Sequence, residues 1–290
     1  MRGELTMTLE LPNMIYMNTN LDKLLKKISQ LESGEQVSLS FKNIEFILPE
    51  STILLLSISK QIYDRTHTVV TWLDVKNDMR MYLERIQINK LAFIDFSQKP
   101  PLWKKRTTNT LVEMKIMSRP NQCDEMISDT KRILYEWFPE RHPDQYVKQI
   151  SEYIRHIAGN SLEHSEENQD GICYYTLQKY SPVGKKLSVR VAFCDTGMGI
   201  GQSLDKAYPW IAENRKNPLI YAFIKGFSCR GNNNGGLGFR IVKKHLHTYG
   251  GEVQIRSGNT MLRYFGKTEK FNIVKFKYPI IGTQTLFILN

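Results

Sequence analysis

The sequence lacks the features of membrane, secreted and zinc-binding proteins. Its longest run of aliphatic residues, Ile53–Leu56, is far shorter than the roughly 20 apolar residues of a membrane-spanning helix. No apolar segment follows the first four residues, so we expect no secretory signal. The four cysteines lie far apart and form no Cys-x-x-Cys pair, which argues against a zinc site and a disulfide framework. These absences predict a cytoplasmic protein with no membrane span.

Composition and length are those of an ordinary globular protein. Of the 290 residues, 41% are hydrophobic and 24% are charged, which excludes a disordered or collagen-like chain. A chain of this length has about two domains. The charge is uneven, since residues 1–98 carry a balance of −1 and residues 99–290 one of +12. A basic surface favours nucleotides, nucleic acid or anionic lipid as partners, but charge alone equally fits a solvated surface without a specific partner.

The first 98 residues alternate strand and helix signals, which predicts a small α/β domain with a largely parallel or mixed sheet. The predicted strands are Asn13–Asn18, Val37–Phe41, Thr68–Leu73 and Leu91–Phe96. The predicted helices are Asp22–Leu31, Ser51–Tyr63 and Asp78–Ile86.

Residues 99–123 contain three prolines and a basic cluster and are interpreted as a linker. A second α/β domain is predicted over residues 124–290. Its predicted helices are Glu125–Phe138, Asp144–Glu163 and Phe239–Tyr249. Its predicted strands are Gly171–Gln178, Leu187–Cys194, Glu252–Arg256, Ile273–Lys277 and Thr285–Leu289.

Three motifs in the second domain suggest chemistry. The first is a polar stripe on a predicted helix, where His156, Asn160 and His164 recur every four residues and so share one face. An asparagine carbonyl is a hard oxygen that suits Mg²⁺, which keeps water and phosphate oxygens as its other ligands. Taken alone, the stripe also fits an asparagine that only hydrogen-bonds a neighbour in the core.

The second motif is an acidic residue at the end of a predicted strand. Asp195 is followed by Gly197 and Gly199, and then by Ile200. The carboxylate can accept a hydrogen bond from an exocyclic amine, and the glycines allow the backbone to approach a flat ring. A tight turn after a buried strand is the alternative.

The third motif is a glycine-rich loop that opens directly into a helix. It contains Gly235, Gly236 and Gly238, with Leu237 between them. Backbone N–H groups at a helix start, together with the helix dipole, form a site for phosphate groups. The spacing fits neither a P-loop nor a Rossmann fingerprint. Lys243, one turn further along, is expected on the surface.

In their order along the chain, these motifs resemble those of the GHKL family of ATP-binding domains, which includes gyrase, Hsp90, histidine kinases and MutL. The resemblance covers about residues 124–290 and implies a Bergerat-type fold, a two-layer α/β sandwich with a mixed sheet and helices on one face. It implies ATP and Mg²⁺ as ligands, and an ATP lid over roughly residues 200–235.

The resemblance also implies residue roles. Asn160 matches the Mg²⁺ ligand, and Asp195 matches the residue that binds the adenine amine, supported by Thr283 after Gly282. Arg230 in the lid is a candidate for contacting the γ-phosphate. The full set of candidate ATP-binding residues is Asn160, His164, Asp195, Gly197, Gly199, Ile200, Arg230, Gly235, Gly236, Leu237, Gly238 and Thr283.

One position departs from this family. Several members have a general-base glutamate four residues before the metal-binding asparagine, and His156 stands there instead. An imidazole can accept a proton, so His156 is a candidate catalytic base. Beside Mg·ATP it would tend to be protonated, and a hydrogen-bonding role is the alternative. Slow hydrolysis, with ATP acting mainly as a switch ligand, is therefore expected.

The first domain resembles the STAS domains of anti-sigma-factor antagonists over residues 37–56. Members often carry an Asp-Ser pair whose serine is phosphorylated, and Leu48-Pro49 stands there, with Ser51 and Thr52 out of register. A docking or dimerising role, with a protein partner or a second copy of the chain, is the expectation rather than a phosphorylation switch.

These resemblances suggest an ATP-dependent regulatory protein in which lid closure acts as a conformational switch, with weak ATP hydrolysis. A protein serine/threonine kinase like the anti-sigma-factor kinases is the first alternative, favoured by the fused STAS-like domain. A nucleic-acid-associated ATPase is the next, favoured by the basic second domain. A histidine kinase is disfavoured because His142, the one histidine between the domains, precedes a proline at a helix break.

Overall fold

The computed structural model describes residues 6–98, 111–117, 120–138, 143–165, 173–180, 187–229 and 236–289. Residues 6–98, here called the N-terminal unit, form a parallel sheet with strand order β1-β2-β3-β4. Its elements are β1 (Met7–Glu10), α1 (Asp22–Ile28), β2 (Val37–Ser40), α2 (Pro49–Thr66), β3 (Val70–Leu73), α3 (Asn77–Arg85) and β4 (Ile94–Phe96). The predicted α/β class is confirmed, and the sheet is parallel.

The strand predicted at Asn13–Asn18 is wrong, and the first strand is β1 instead. Ile15 and Met17 are buried at alternate positions, which is the pattern of a strand. Their backbone carbonyls, however, are bonded by side chains, since Ile15 O accepts from Ser51 Oγ and Met17 O accepts from the Arg256 guanidinium. The pattern therefore marks an extended segment that packs on the core without joining the sheet.

Residues 111–289, here called the C-terminal unit, form a five-stranded sheet with order β5-β6-β7-β9-β8. Every described pair is antiparallel, unlike the mixed sheet that was expected. The elements are β5 (Leu111–Met117), α4 (Pro120–Trp137), α5 (Pro143–Ser165), β6 (Cys173–Tyr180), β7 (Ser188–Asp195), α6 (Gly199–Ala207), α7 (Trp210–Glu213), a π-helix (Ile220–Ile224), α8 (Leu237–Tyr249), β8 (Glu252–Phe265) and β9 (Phe271–Leu289).

The expected linker and the last strands of the chain differ from prediction. The part of the expected linker that the structure describes contains β5 and the start of α4, so the C-terminal unit begins before residue 124. The two strands predicted after residue 271 form one long strand, β9. Pro279 interrupts the sequence pattern, but β7 pairs only with residues 284–289 and the β8 pairing is irregular near Gly258. Proline is tolerated in a strand at such places because no ladder hydrogen bond is lost.

Helix α2 lies between the two sheets. It is buried around nearly its whole circumference, with Leu54, Leu55 and Ile58 fully buried. A helix buried on nearly all sides lies inside the protein, and α2 also buries polar side chains such as Ser57 and Ser59. One continuous hydrophobic core includes α2, the parallel sheet, and Tyr174 and Leu286 on the antiparallel sheet. The N-terminal unit therefore packs against one face of the antiparallel sheet.

Polar contacts also join the two units. Glu50 at the start of α2 forms an ion pair with Arg190 of β7, and burial raises the pKa of this carboxyl. Fully buried Arg256 of β8 donates to the carbonyls of Met17 and Thr19, at 3.1 and 3.0 Å. Among the described residues, no helix is both long and apolar enough to cross a membrane.

Candidate functional site

A cavity of about 320 Å³ opens on the side of the antiparallel sheet opposite to α2. Helices α5, α6 and α8, the end of β7 and the middle of β9 surround it. Its volume is that of an ordinary small-molecule site. The structure brings nine candidate residues to its wall, namely His156, Asn160, Asp195, Gly199, Ile200, Gly236, Leu237, Gly238 and Thr283.

Asp195 is held rigidly at one end of the cavity. Its Oδ1 accepts hydrogen bonds from the backbone N–H groups of Gly197, at 3.0 Å, and Thr283, at 3.1 Å. The residue is 5% exposed, and burial raises the pKa of its carboxyl to about 6 against the opposing effect of these bonds and of the Ser161 hydroxyl. A carboxyl fixed in this way can accept a hydrogen bond from a ligand with a defined direction.

A close backbone approach brings Thr283 to Asp195. Gly282 has φ +69°, and a Cβ at this position would lie 1.9 Å from the carbonyl oxygen of Asp195. Only glycine accepts both this conformation and this contact. The sharp approach of β9 places the Thr283 N–H within reach of the carboxylate.

Ser257 of β8 links the same end of the cavity to α6. Its Oγ accepts from the Ile200 N–H at 2.9 Å and lies 3.3 Å from Thr283 Oγ1. It also donates to the Gly282 carbonyl at 3.2 Å. Ser257 thus fixes the beginning of α6 relative to β9.

The start of α8 forms another part of the cavity wall. A Cβ at Gly238 would lie 2.8 Å from the Cβ of His156 and 3.9 Å from Asn160 Nδ2, so a glycine is needed where α8 approaches α5. The first residues of α8 line the cavity, and helix starts of this kind bind anions through free N–H groups. Asn160 is exposed on the same wall.

His156 lines the cavity one helical turn before Asn160 and is half-buried. Asp195 is the only residue with a carboxyl group among the described residues that line the cavity. Glu152, a further turn back on α5, is exposed and is not part of the wall. Because the Asp195 carboxyl is already held by the N–H groups of Gly197 and Thr283, the described wall offers no carboxylate in place of the glutamate that the resemblance implies.

Lys243 is predicted on the surface, but the structure buries part of it. Its Nζ donates to the Ile224 carbonyl at 2.8 Å, and burial lowers its pKa. The bond joins α8 to the π-helix, and π-helical turns are frequent at functional sites. Lys243 therefore stabilises the segment that leads into Phe227 and Cys229 on the cavity wall.

The remaining candidates lie elsewhere. Gly197 bonds Asp195 but is not on the cavity wall. His164 belongs to α5, and its side chain lies outside the described residues, as do Arg230 and Gly235. Where the structure describes the expected lid, it contains α6, α7 and the π-helix, joined and followed by non-helical turns.

Sequence reasoning missed several residues of the site. They are Ser161, Ser203, Phe227, Cys229 and Thr285 on the cavity wall and Ser257 behind it. Ser161 follows Asn160 directly, and Thr285 follows Thr283 by two positions on the same strand face, so proximity to the motifs could have indicated both. Nothing in the local sequence distinguishes Ser257.

Among the described residues, no group of three or more histidine, cysteine, aspartate or glutamate side chains could hold a metal ion. No family model matches the sequence, and no curated protein is significantly similar to it.

Proposed function

We propose that the cavity binds ATP, with the adenine base against Asp195 and Thr283 and the phosphates at the start of α8. The observation that carries this proposal is the pairing, in one cavity, of a buried and fixed carboxylate with a helix start. The motif resemblance to the GHKL family supports the same orientation. The chain would act as an ATP-dependent regulatory protein.

The base end favours adenine for a simple reason. Asp195 Oδ1 is bonded by two backbone N–H groups, so the carboxylate cannot turn away from a poorly matched ligand. The 6-amino group of adenine donates a hydrogen bond to a carboxylate, whereas the 6-oxo group of guanine would face it as a second acceptor. A buried acceptor facing an acceptor is costly, so discrimination is strong.

The phosphate end also accommodates Mg²⁺. The side-chain oxygen of Asn160 is a hard ligand, exposed on the wall beside the start of α8. Magnesium sites commonly combine one or two protein oxygens with phosphate oxygens and water. Asn160 would hold the ion, and the N–H groups at the start of α8 would hold the phosphates.

A switch is a better proposal than a fast enzyme. His156 stands where the resemblance implies a general-base glutamate, and the one carboxyl group of the described wall, that of Asp195, is assigned to the adenine base. Phe227, Cys229 and α6 of the expected lid lie on the cavity wall. A ligand that contacts them stabilises the closed conformation of the lid over the open one. Ser51 and Thr52 are buried in α2, so neither is placed to receive a phosphate in this arrangement.

The test is calorimetry of the purified chain with Mg·ATP and Mg·GTP, followed by incubation with γ-labelled ATP. We expect ATP binding, no comparable GTP binding, and slow release of free phosphate that Asn160→Ala abolishes. Label that remains on the protein would instead support the kinase alternative. Absence of ATP binding by the wild-type chain would contradict the proposal.

A further inference from the structure

The back of the proposed base site is made by the N-terminal unit. Cys194 and Gln284 are neighbours of Asp195 and Thr283 in β7 and β9, and they form a register pair across the two strands. Successive side chains of a strand point to opposite faces of the sheet. Cys194 and Gln284 accordingly face away from the cavity, towards α2.

Ser57 of α2 connects these two side chains. Its Oγ lies 2.9 Å from Cys194 Sγ and accepts a hydrogen bond from Gln284 Nε2 at 3.0 Å. Ser57, Cys194 and Gln284 are all fully buried. A buried polar group that loses its partner lowers the stability of the folded protein. The contacts of Ser57 therefore fix the positions of β7 and β9 relative to α2.

The same network reaches the other side of Gly282. Gln284 Nε2 also donates to the Ile281 carbonyl at 2.7 Å, and the Ile281 N–H donates to Gln61 Oε1 at 3.3 Å. Gln61 is one helical turn beyond Ser57 on α2. The strand segment 281–284 is therefore bonded to α2 on both sides of Gly282 and Thr283.

We propose that Ser57 and Gln61 are positioning residues of the nucleotide site, so that the N-terminal unit forms part of the binding machinery. This inference rests on the proposed ATP binding. The two residues act through β7 and β9 on the distance between the Thr283 N–H and Asp195 Oδ1, which is 3.1 Å. The N-terminal domain, for which a docking role is expected, would then dock on the nucleotide-binding unit of its own chain.

The helix itself offers a matched control. Ser59 is as fully buried in α2 as Ser57, but it faces the parallel sheet, where it accepts from Trp72 Nε1 at 3.0 Å. Ser57→Ala and Ser59→Ala each remove one buried hydroxyl from the same helix. A purely structural role predicts similar effects of both changes on thermal stability and on ligand affinity.

The experiment measures thermal unfolding and the affinities for Mg·ATP and for adenosine in the wild type and both variants. We expect Ser57→Ala to weaken both ligands by the same factor, roughly five- to tenfold, as for one lost hydrogen bond at a binding site. Equal factors place the effect at the base end, because adenosine lacks the phosphates. Ser59→Ala should leave both affinities unchanged.

Gln61→Met is a second variant for the case in which Ser57→Ala does not fold. Gln61 is only half-buried, so the fold tolerates its replacement better, and the same loss for both ligands is expected. Equal affinities in the wild type, Ser57→Ala and Gln61→Met would overturn this inference and leave ATP binding intact. A wild-type chain that binds neither ligand would overturn the proposed function, and this inference with it.

Discussion

Gly282 of β9 passes so close to Asp195 that a Cβ at position 282 would lie 1.9 Å from the Asp195 carbonyl oxygen. The conformation of Gly282, with φ +69°, turns the next N–H towards the carboxylate of the same aspartate. Backbone geometry on one strand therefore sets the orientation of a side chain on its neighbour. The proposed base recognition depends on this pair.

Gly282→Ala should abolish ATP binding, because the added Cβ must push β9 away from Asp195. Gly258→Ala is the control, since Gly258 also has a positive φ, +58°, but a Cβ there would meet no heavy atom within 4 Å outside its chain neighbours. Backbone strain alone should lower the stability of the Gly258→Ala variant by about 1–2 kcal/mol, and its ATP affinity should remain that of the wild type. Calorimetry and thermal unfolding of both variants measure the difference. Similar ATP affinities in both variants would contradict the role given to Gly282.

Asp195→Asn should weaken ATP at least about 100-fold, because a hydrogen-bonding site that faces the wrong partner rejects it strongly. The two backbone N–H groups require an acceptor at Oδ1, so the new amide NH₂ must take the other position. There it would meet the adenine amine as donor against donor. The 6-oxo group of ITP is an acceptor, so the ratio of ATP to ITP affinity should fall. An unchanged ratio in competition experiments would exclude Asp195 from base recognition.

Adenosine affinity should fall as the pH decreases through 6. Burial raises the pKa of Asp195 to about 6, and the ionised carboxylate is the better acceptor. Between pH about 7.5 and about 5 the ionised fraction drops about tenfold, and affinity should follow. Adenosine is the appropriate probe because it has no phosphate that titrates in this range. A flat profile would show that the ionised form is not needed.

Gly238→Ala should separate phosphate binding from base binding. A Cβ there would lie 2.8 Å from the His156 Cβ, so α8 must move away from α5 at the point proposed to hold the phosphates. Mg·ATP affinity should fall by about tenfold or more, corresponding to about 1.4 kcal/mol or more. Adenosine affinity should be nearly unchanged, because the atoms nearest to the added Cβ belong to His156 and Asn160 rather than to Asp195 or Thr283. Parallel losses for both ligands would place Gly238 in a general structural role.

His156→Ala should leave ATP affinity largely intact, since a proton acceptor is not required for binding. The rate of phosphate release should decrease if His156 activates the attacking water. Calorimetry and phosphate release, measured on the same preparation, distinguish the two roles. A large loss of affinity would identify His156 as a binding group.

The residues that the sequence predicted best are those near one another in a motif. Asn160, Asp195 and Gly238 each sit in a local pattern of polar residues or glycines, and all three line the cavity. Ser257 and Ser57 could not be found in this way, because their significance comes from contacts with residues far along the chain. A serine in a strand or an apolar helix carries no local signal for such a partner.

Secondary structure could likewise be predicted where local sequence determines it, and not where contacts with distant residues do. Helix α8 begins at Leu237, two residues before the predicted start at Phe239, so that Gly238 lies in its first turn. The segment around Ile15 is not a strand because the Ser51 and Arg256 side chains bond its carbonyls, and no local rule detects contacts with residues so far along the chain. Likewise, the sequence predicts a helix over Ser51–Tyr63, but only the structure shows that two different sheets enclose it.

The position of α2 between the two sheets has a consequence for how the protein unfolds. Because its two faces complete two hydrophobic layers, pulling the helix out would uncover both at once, including Tyr174 and Leu286 on the antiparallel sheet and Trp72 on the parallel one. Neither hydrophobic layer can be exposed to water without also exposing the other. The N-terminal and C-terminal units should therefore melt together, in a single cooperative transition rather than in sequence.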